Sequence, residues 1–128
     1  MIWYVAFGGA AGSAARYALS GLMQRSAGTT FPVWTLVVNI TGSVLLGFLM
    51  RYLADGVVNA EARALLTVGF CGGYTTFSTF SYETVALVEQ GDWRRGALYI
   101  GLSVVLSLLG ALAGVGLARA LIVFRQGP

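Results

Sequence analysis

The sequence predicts an all-α protein: four transmembrane helices, the third of them broken. Three observations carry this reading. Hydrophobic residues make up 57% of the chain and charged residues 10%, whereas a soluble domain is about 25% charged. The apolar residues gather in four stretches, each about the 20 residues needed to cross hydrocarbon. One stretch is interrupted by the run GGYTTFSTFS, Gly72 to Ser81, where two adjacent glycines and five Ser or Thr residues replace the expected aliphatics.

With 128 residues, positions 1–128 form a single transmembrane domain. The first span is Ile2 to Leu22. No charged side chain precedes its apolar stretch, so it is expected to be retained rather than cleaved as a signal peptide. The second is Val33 to Met50, after the polar loop QRSAGTTFP. The third runs from Ala62 to Val88 with its break at residues 72–76, and the fourth from Gly96 to Phe124, after EQGDWRR. Trp34, Tyr52 and Trp93 fall near predicted ends, as an aromatic belt would.

The third span decides what kind of membrane protein this is. Each of the adjacent glycines weakens a helix by about 1 kcal/mol relative to Ala. The halves on either side of the break run about 10 and 12 residues, roughly 15 and 18 Å of helix, so the break lies near the bilayer midplane. Backbone carbonyls freed there must be satisfied by protein, water or an ion. A broken helix at membrane depth is therefore a candidate ion site.

The charges exclude several functions and leave the orientation open. The net charge of +3 comes from eight Arg against five acids. The arginines stand singly or in one pair near segment ends, as interfacial anchors do, and form no basic stripe for nucleic acid. With four spans, Arg51, Arg63, Arg119 and Arg125 lie on one side. Arg25, Arg94 and Arg95 lie on the other, with Arg16 if it snorkels toward the nearer helix end. Four against four gives no positive-inside bias. Either a small unseen bias sets the topology, or the chain inserts both ways and antiparallel subunits pair about a two-fold axis. The chain has no His and one Cys, which excludes His-ligated metals, His-dependent triads and an intrachain disulfide. Cys71 reads as a small buried apolar residue, and an enzyme is not expected.

Polar residues form stripes on three spans. Thr35, Asn39, Ser43 and Gly47 share a face of the second at i, i+4 spacing. Ser103, Ser107, Gly110 and Gly114 share a face of the fourth, with Tyr99 one turn earlier. Gly8 and Gly12 form a small-xxx-small pair in the first. Close helix packing explains most of the glycines and serines. Asn39 carries two donors and an acceptor to lipid depth, which suits a pore or a specific interhelical bond equally. After the break, Phe77, Phe80 and Thr84 share one face and Thr76, Thr79 and Glu83 another. Glu83 is the acid nearest the bundle interior, and acids there are costly and usually functional. Hydroxyls, an amide and aromatic ring edges are donors that can replace a small anion's water without trapping it. Freed carbonyls suit a hard cation. The residues alone thus give an anion or cation site.

The same residues closely resemble the Fluc (CrcB) family of fluoride-specific ion channels over essentially the whole chain. GGYTTFSTFS resembles the family's third-helix signature, supported by TLVVN (Thr35 to Asn39), Arg16, Glu83, Tyr99, Ser103 and Ser107. The resemblance implies passive fluoride export across the cytoplasmic (inner) membrane, with two pores at the interface of an antiparallel, dual-topology homodimer embedded in lipid. It implies a structural, non-transported sodium ion held by the backbone carbonyls of Gly72 and Thr75 from both subunits. It places Phe77, Phe80, Asn39, Ser103, Ser107, Tyr99 and Thr79 along the fluoride pore, Arg16 in a vestibule and Glu83 on a polar track. Tyr74 stands where relatives often carry a smaller aliphatic residue. Two other classes share the architecture. A small multidrug-type proton-coupled antiporter needs an acid in the first span, which has none; a non-conducting membrane interaction protein would use the polar stripes only as helix glue.

Overall fold

The computed structural model describes the backbone of every residue except 27–30, 55, 57 and 128, and the side chains of the rest apart from 24–26. The Arg25 side chain and most of the first polar loop therefore lie outside what is described. Every regular element among the described residues is helical. Helix α1 spans Ile2–Ser26, α2 Val33–Tyr52, α3 Ala60–Ala64, α4 Gly72–Tyr74, α5 Phe77–Glu89 and α6 Trp93–Gln126, with a π-helical segment, Leu65–Cys71, joining α3 to α4. The four expected segments are thus four helical rods, the third of them bent, and each outruns its apolar stretch by a few residues. Among them α2 and α6 are long and apolar enough to cross a membrane. Trp34 and Tyr52 sit at the two ends of α2, and Trp93 opens α6.

Short-range chemistry sets the helix ends. Asn59 caps α3 by accepting from the Ala62 amide at 2.8 Å. Asp92 caps α6 by accepting from the Arg95 amide at 3.2 Å, and its other oxygen pairs with the Arg95 guanidinium at 3.4 Å. Helix α5 ends as its last carbonyls are taken by the turn: Gly91 donates to Val88 and Asp92 to Leu87, both at 2.9 Å. Gly91 has φ +80°, the left-handed conformation that favours glycine at such a terminus. The chain reverses within three residues, so α5 and α6 run antiparallel.

Close backbone contact holds the rods together. A Cβ on Gly8 would collide with the Leu65 carbonyl, and one on Gly12 with the Phe70 carbonyl. One on Gly69 would stand 2.8 Å from the Val5 oxygen. These contacts, with Ser13 Oγ donating to the Gly73 carbonyl at 3.3 Å, advance together along both chains, so α1 runs parallel to the first half of the third rod. On the other side, Gly110 lies against Ile40 and Val44, Gly114 against Val44 and Phe48, and Gly47 against Ala111. Helices α2 and α6 are likewise parallel. Close packing is thus the role of these glycines, as the stripes suggest. Cys71 is a buried free thiol.

The break differs from expectation in one respect. The glycines do not interrupt the helix: Gly72 has φ −64°, ψ −37° and is helical. The chain extends only at Thr75 (φ −79°, ψ 159°) and Thr76 (φ −151°, ψ 113°). Gly73 instead permits approach, because a Cβ there would enter the Gly9 backbone, whereas one on Gly72 meets nothing within 4 Å. The interruption of regular α-helix also begins earlier, in the wide turns of Leu65–Cys71, a form frequent at functional sites.

The α6 glycines supply a test. Gly114→Ala should lower stability in detergent by about 1–3 kcal/mol through overpacking. Gly116→Ala, where nothing lies within 4 Å of the new methyl, should be neutral or stabilising by up to about 1 kcal/mol. Thermal unfolding of the two variants compares them directly.

Candidate ion site at the helix break

Asn39 closes the gap left by Thr75 and Thr76. Its Nδ2 donates to the Thr76 carbonyl at 3.0 Å, and its Oδ1 accepts from the Thr76 amide at 2.8 Å. The side-chain amide thus pairs with Thr76 much as a neighbouring strand would, and the two bonds together fix which end of the amide is oxygen. Ser43 Oγ, one turn on, donates to the Asn39 carbonyl at 2.7 Å. Between the pore and interhelical readings of Asn39, the interhelical bond is present. One of the two amide hydrogens remains after it.

Each bond that stabilises the break diverts a donor from the helix. The Thr76 amide, which would have served the Gly72 carbonyl, serves Asn39. The Thr79 amide, which would have served the Thr75 carbonyl, is taken by Thr76 Oγ1 at 3.2 Å, capping α5. Thr76 Oγ1 also donates to Thr79 Oγ1 at 3.0 Å. The Gly72 and Thr75 carbonyls therefore lose their i+4 partners, and Gly72 is exposed. The N-terminus of α5, carrying the positive end of its dipole, opens on the same place.

A cavity of about 350 Å³ adjoins the break. Asn39, Ser43 and Thr75 line it together with Phe77, Phe80, Ser103 and Ser107. Six of the sequence-predicted residues thus meet in one groove. Phe77 is 77% exposed and Phe80 buried, with ring centroids 5.3 Å apart and planes at 51°. Ser103 Oγ is buried without a hydrogen-bond partner, a costly state unless a ligand or water meets it. Val104 and Leu108, on the same rim, are exposed.

The remaining predicted residues lie elsewhere. Glu83 sits behind Phe80, with one oxygen accepting from Thr35 Oγ1 at 2.8 Å and the other from Tyr99 OH at 2.6 Å. Thr35 and Tyr99 are fully buried, and the Tyr99 ring lies 5.2 Å from Phe80. Glu83 is therefore a buttressed carboxylate rather than one reaching for the interface. Arg16 and Thr79 line a second cavity, of about 460 Å³, with Ser13, Tyr17, Ser20 and Trp34. Arg16 does not snorkel to the helix end: its Nη1 turns to the Thr75 carbonyl at 3.4 Å, because that oxygen has lost its helical donor.

Sequence reasoning missed two supports. Thr35 stands on the Asn39 stripe one turn earlier, so its register was visible, but its bond to Glu83 depends on how α2 meets α5. Tyr74 hydrogen-bonds Thr41 Oγ1 at 2.9 Å and stacks on Phe70 at 5.9 Å. Gly42 makes room for it, since a Cβ there would crowd Thr75 and Tyr74.

The sequence profile of the CrcB-like protein, Camphor Resistance (CrcB) family matches residues 3–115. The fluoride-specific ion channel FluC of Thermus thermophilus is 47% identical over 118 residues, covering 92% of this chain and 94% of its own. That of Rhizobium meliloti is 45% identical over 122 residues, covering 94% and 98%. That of Geobacter sulfurreducens is 46% identical over 118 residues, covering 91% and 95%.

Asn39→Leu would strand the Thr76 amide and take one bond from its carbonyl, which as the α5 N-cap still accepts from the helix. At about 1–3 kcal/mol for an unsatisfied group, the loss should exceed that of Ser43→Ala, which removes one local bond. Thermal unfolding of both variants measures the difference.

Proposed function

The chain belongs to the CrcB family, and on that premise we propose that it is a fluoride-specific ion channel. It exports fluoride passively across the cytoplasmic membrane, which it crosses four times, and so limits fluoride toxicity inside the cell. The observation that carries this reading is the groove beside the break: neutral donors and two aromatic rings, with an unpartnered buried hydroxyl at Ser103, and no fixed charge among its lining residues. Replacing the hydration of a small anion takes donors, and conduction requires that each be weak. Arg16 and the α5 N-terminus draw the anion in from the neighbouring cavity.

Two copies make the complete channel. The groove is open on a rim of exposed apolar residues, and an antiparallel homodimer closes it, giving two pores. The arginines are compatible with this assembly: with Arg16 turned to the break, the remaining seven stand four against three, a bias of one. The two freed carbonyls of each copy meet on the two-fold axis and hold a structural sodium ion there. Gly72 and Thr75 fit such an ion, being neutral oxygens stripped of their helical donors; two oxygens from one chain do not complete a shell, whereas four from two chains approach one. Bound there, sodium would supply a fixed positive charge beside the groove. No Asp or Glu lies in α1, which disfavours a proton-coupled antiporter.

Reconstitution in liposomes tests the assignment. Fluoride efflux should be rapid and chloride efflux negligible; equal, negligible fluxes of both ions from folded protein would overturn it. Phe80→Ile should preserve the dimer and lower fluoride flux by about tenfold or more, equivalent to about 1.4 kcal/mol on the barrier. Unchanged flux would make the ring a packing element only.

A further inference from the structure

We propose that the Arg16 guanidinium is a tethered competitor of sodium at the Thr75 carbonyl, so that Arg16 sets how much sodium the site requires. The proposal rests on the sodium reading of Gly72 and Thr75. Its own observation is that Arg16 Nη1 already donates to the Thr75 oxygen, at 3.4 Å.

The surroundings of Arg16 make that contact consequential. The side chain is half-buried, and among the described residues it makes no ion pair. The cavity around it is lined by Ser13, Tyr17, Ser20, Trp34 and Thr79, none of them acidic. Among the described residues the carbonyl is thus its one hydrogen-bond acceptor, and compensates the guanidinium there with a partial negative charge. A contact of 3.4 Å is long for a charge-assisted hydrogen bond, so it is easily exchanged. The carbonyl, having lost the Thr79 amide to Thr76 Oγ1, gains a cation partner from Arg16 or from sodium. Two unit positive charges on one oxygen repel strongly in a low-dielectric site, so each weakens the other.

Competition also gives the guanidinium two positions. With sodium absent, Arg16 covers the Thr75 oxygen. Sodium binding displaces it into the cavity, where its donors face hydroxyls and an approaching anion. Occupancy of the cation site is thereby linked to the charge presented at the mouth of the groove, and the linkage is reciprocal.

Sodium-dependent stability tests this without measuring flux, because a ligand that binds the folded state raises the unfolding temperature. Wild type, Arg16→Gln and Arg16→Lys are exchanged into N-methylglucamine buffer in detergent. Sodium is then titrated at constant ionic strength while thermal unfolding is followed. Removing the competing charge should lower the half-saturating sodium concentration by about tenfold in Arg16→Gln, and Arg16→Lys, which keeps the charge, should stay within about threefold of wild type. An unchanged or raised midpoint in Arg16→Gln, beside a sodium-responsive wild type, overturns the competition and leaves the sodium site standing. So does an equal fall in Arg16→Lys. A wild type indifferent to sodium overturns both. Should Arg16→Gln not fold, hydrogen exchange of the Arg16 guanidinium in wild type decides: faster exchange on adding sodium supports displacement, and unchanged exchange refutes it.

Discussion

The pairing of Asn39 with Thr76 is the constraint on which the site depends. A chain that leaves the helix at membrane depth exposes backbone groups that lipid cannot satisfy. Here one side-chain amide from α2 meets both the amide and the carbonyl of Thr76. That bond lets the third rod stop and restart without unravelling. It also fixes α2 against the break, so the stripe that carries Asn39 brings Thr35 to Glu83 and Ser43 to the groove.

The same economy of donors produces the chemistry. Two amides are diverted, to Asn39 and to Thr76 Oγ1, and two carbonyls are left without their usual partners. Oxygens suited to a cation thus lie at the break, beside the start of α5 and the groove lined by Phe77 and Phe80. Opposite ions stabilise each other when held close in a low dielectric, so a fixed cation lowers the cost of a mobile anion nearby. Glu83, held by Thr35 and Tyr99, keeps its charge engaged behind Phe80 and away from the groove lining.

Much of this was legible in the sequence because it is periodic or compositional. Apolar stretches gave four rods, the Gly8–Gly12 and Gly110–Gly114 spacings gave close contacts, and the run from Gly72 to Ser81 gave the break. What was not legible depends on three-dimensional register. Glycine propensity pointed to Gly72 and Gly73 as the interruption, yet both stay helical and the interruption falls at Thr75 and Thr76. Packing decided this, since Gly73 must pass the Gly9 backbone while Thr76 must meet Asn39. Sequence position allows Arg16 to snorkel to a helix end, but only the folded chain shows a stripped carbonyl within its reach. The wide turns of Leu65–Cys71 leave no compositional trace in LLTVGFC. Fluoride as the chosen ion rests on kinship, since the donors alone would suit any small anion.

The side-chain amide of Asn39 offers the most direct measurement, because it belongs to the break and to the groove at once. Its two hydrogens can be resolved by nitrogen-15 NMR in protein labelled at asparagine. The account predicts that one hydrogen, bonded to the Thr76 carbonyl, exchanges slowly and is insensitive to halide. The other should shift as fluoride is added and not with chloride. Two hydrogens that exchange equally fast, with no difference between fluoride and chloride, would contradict it.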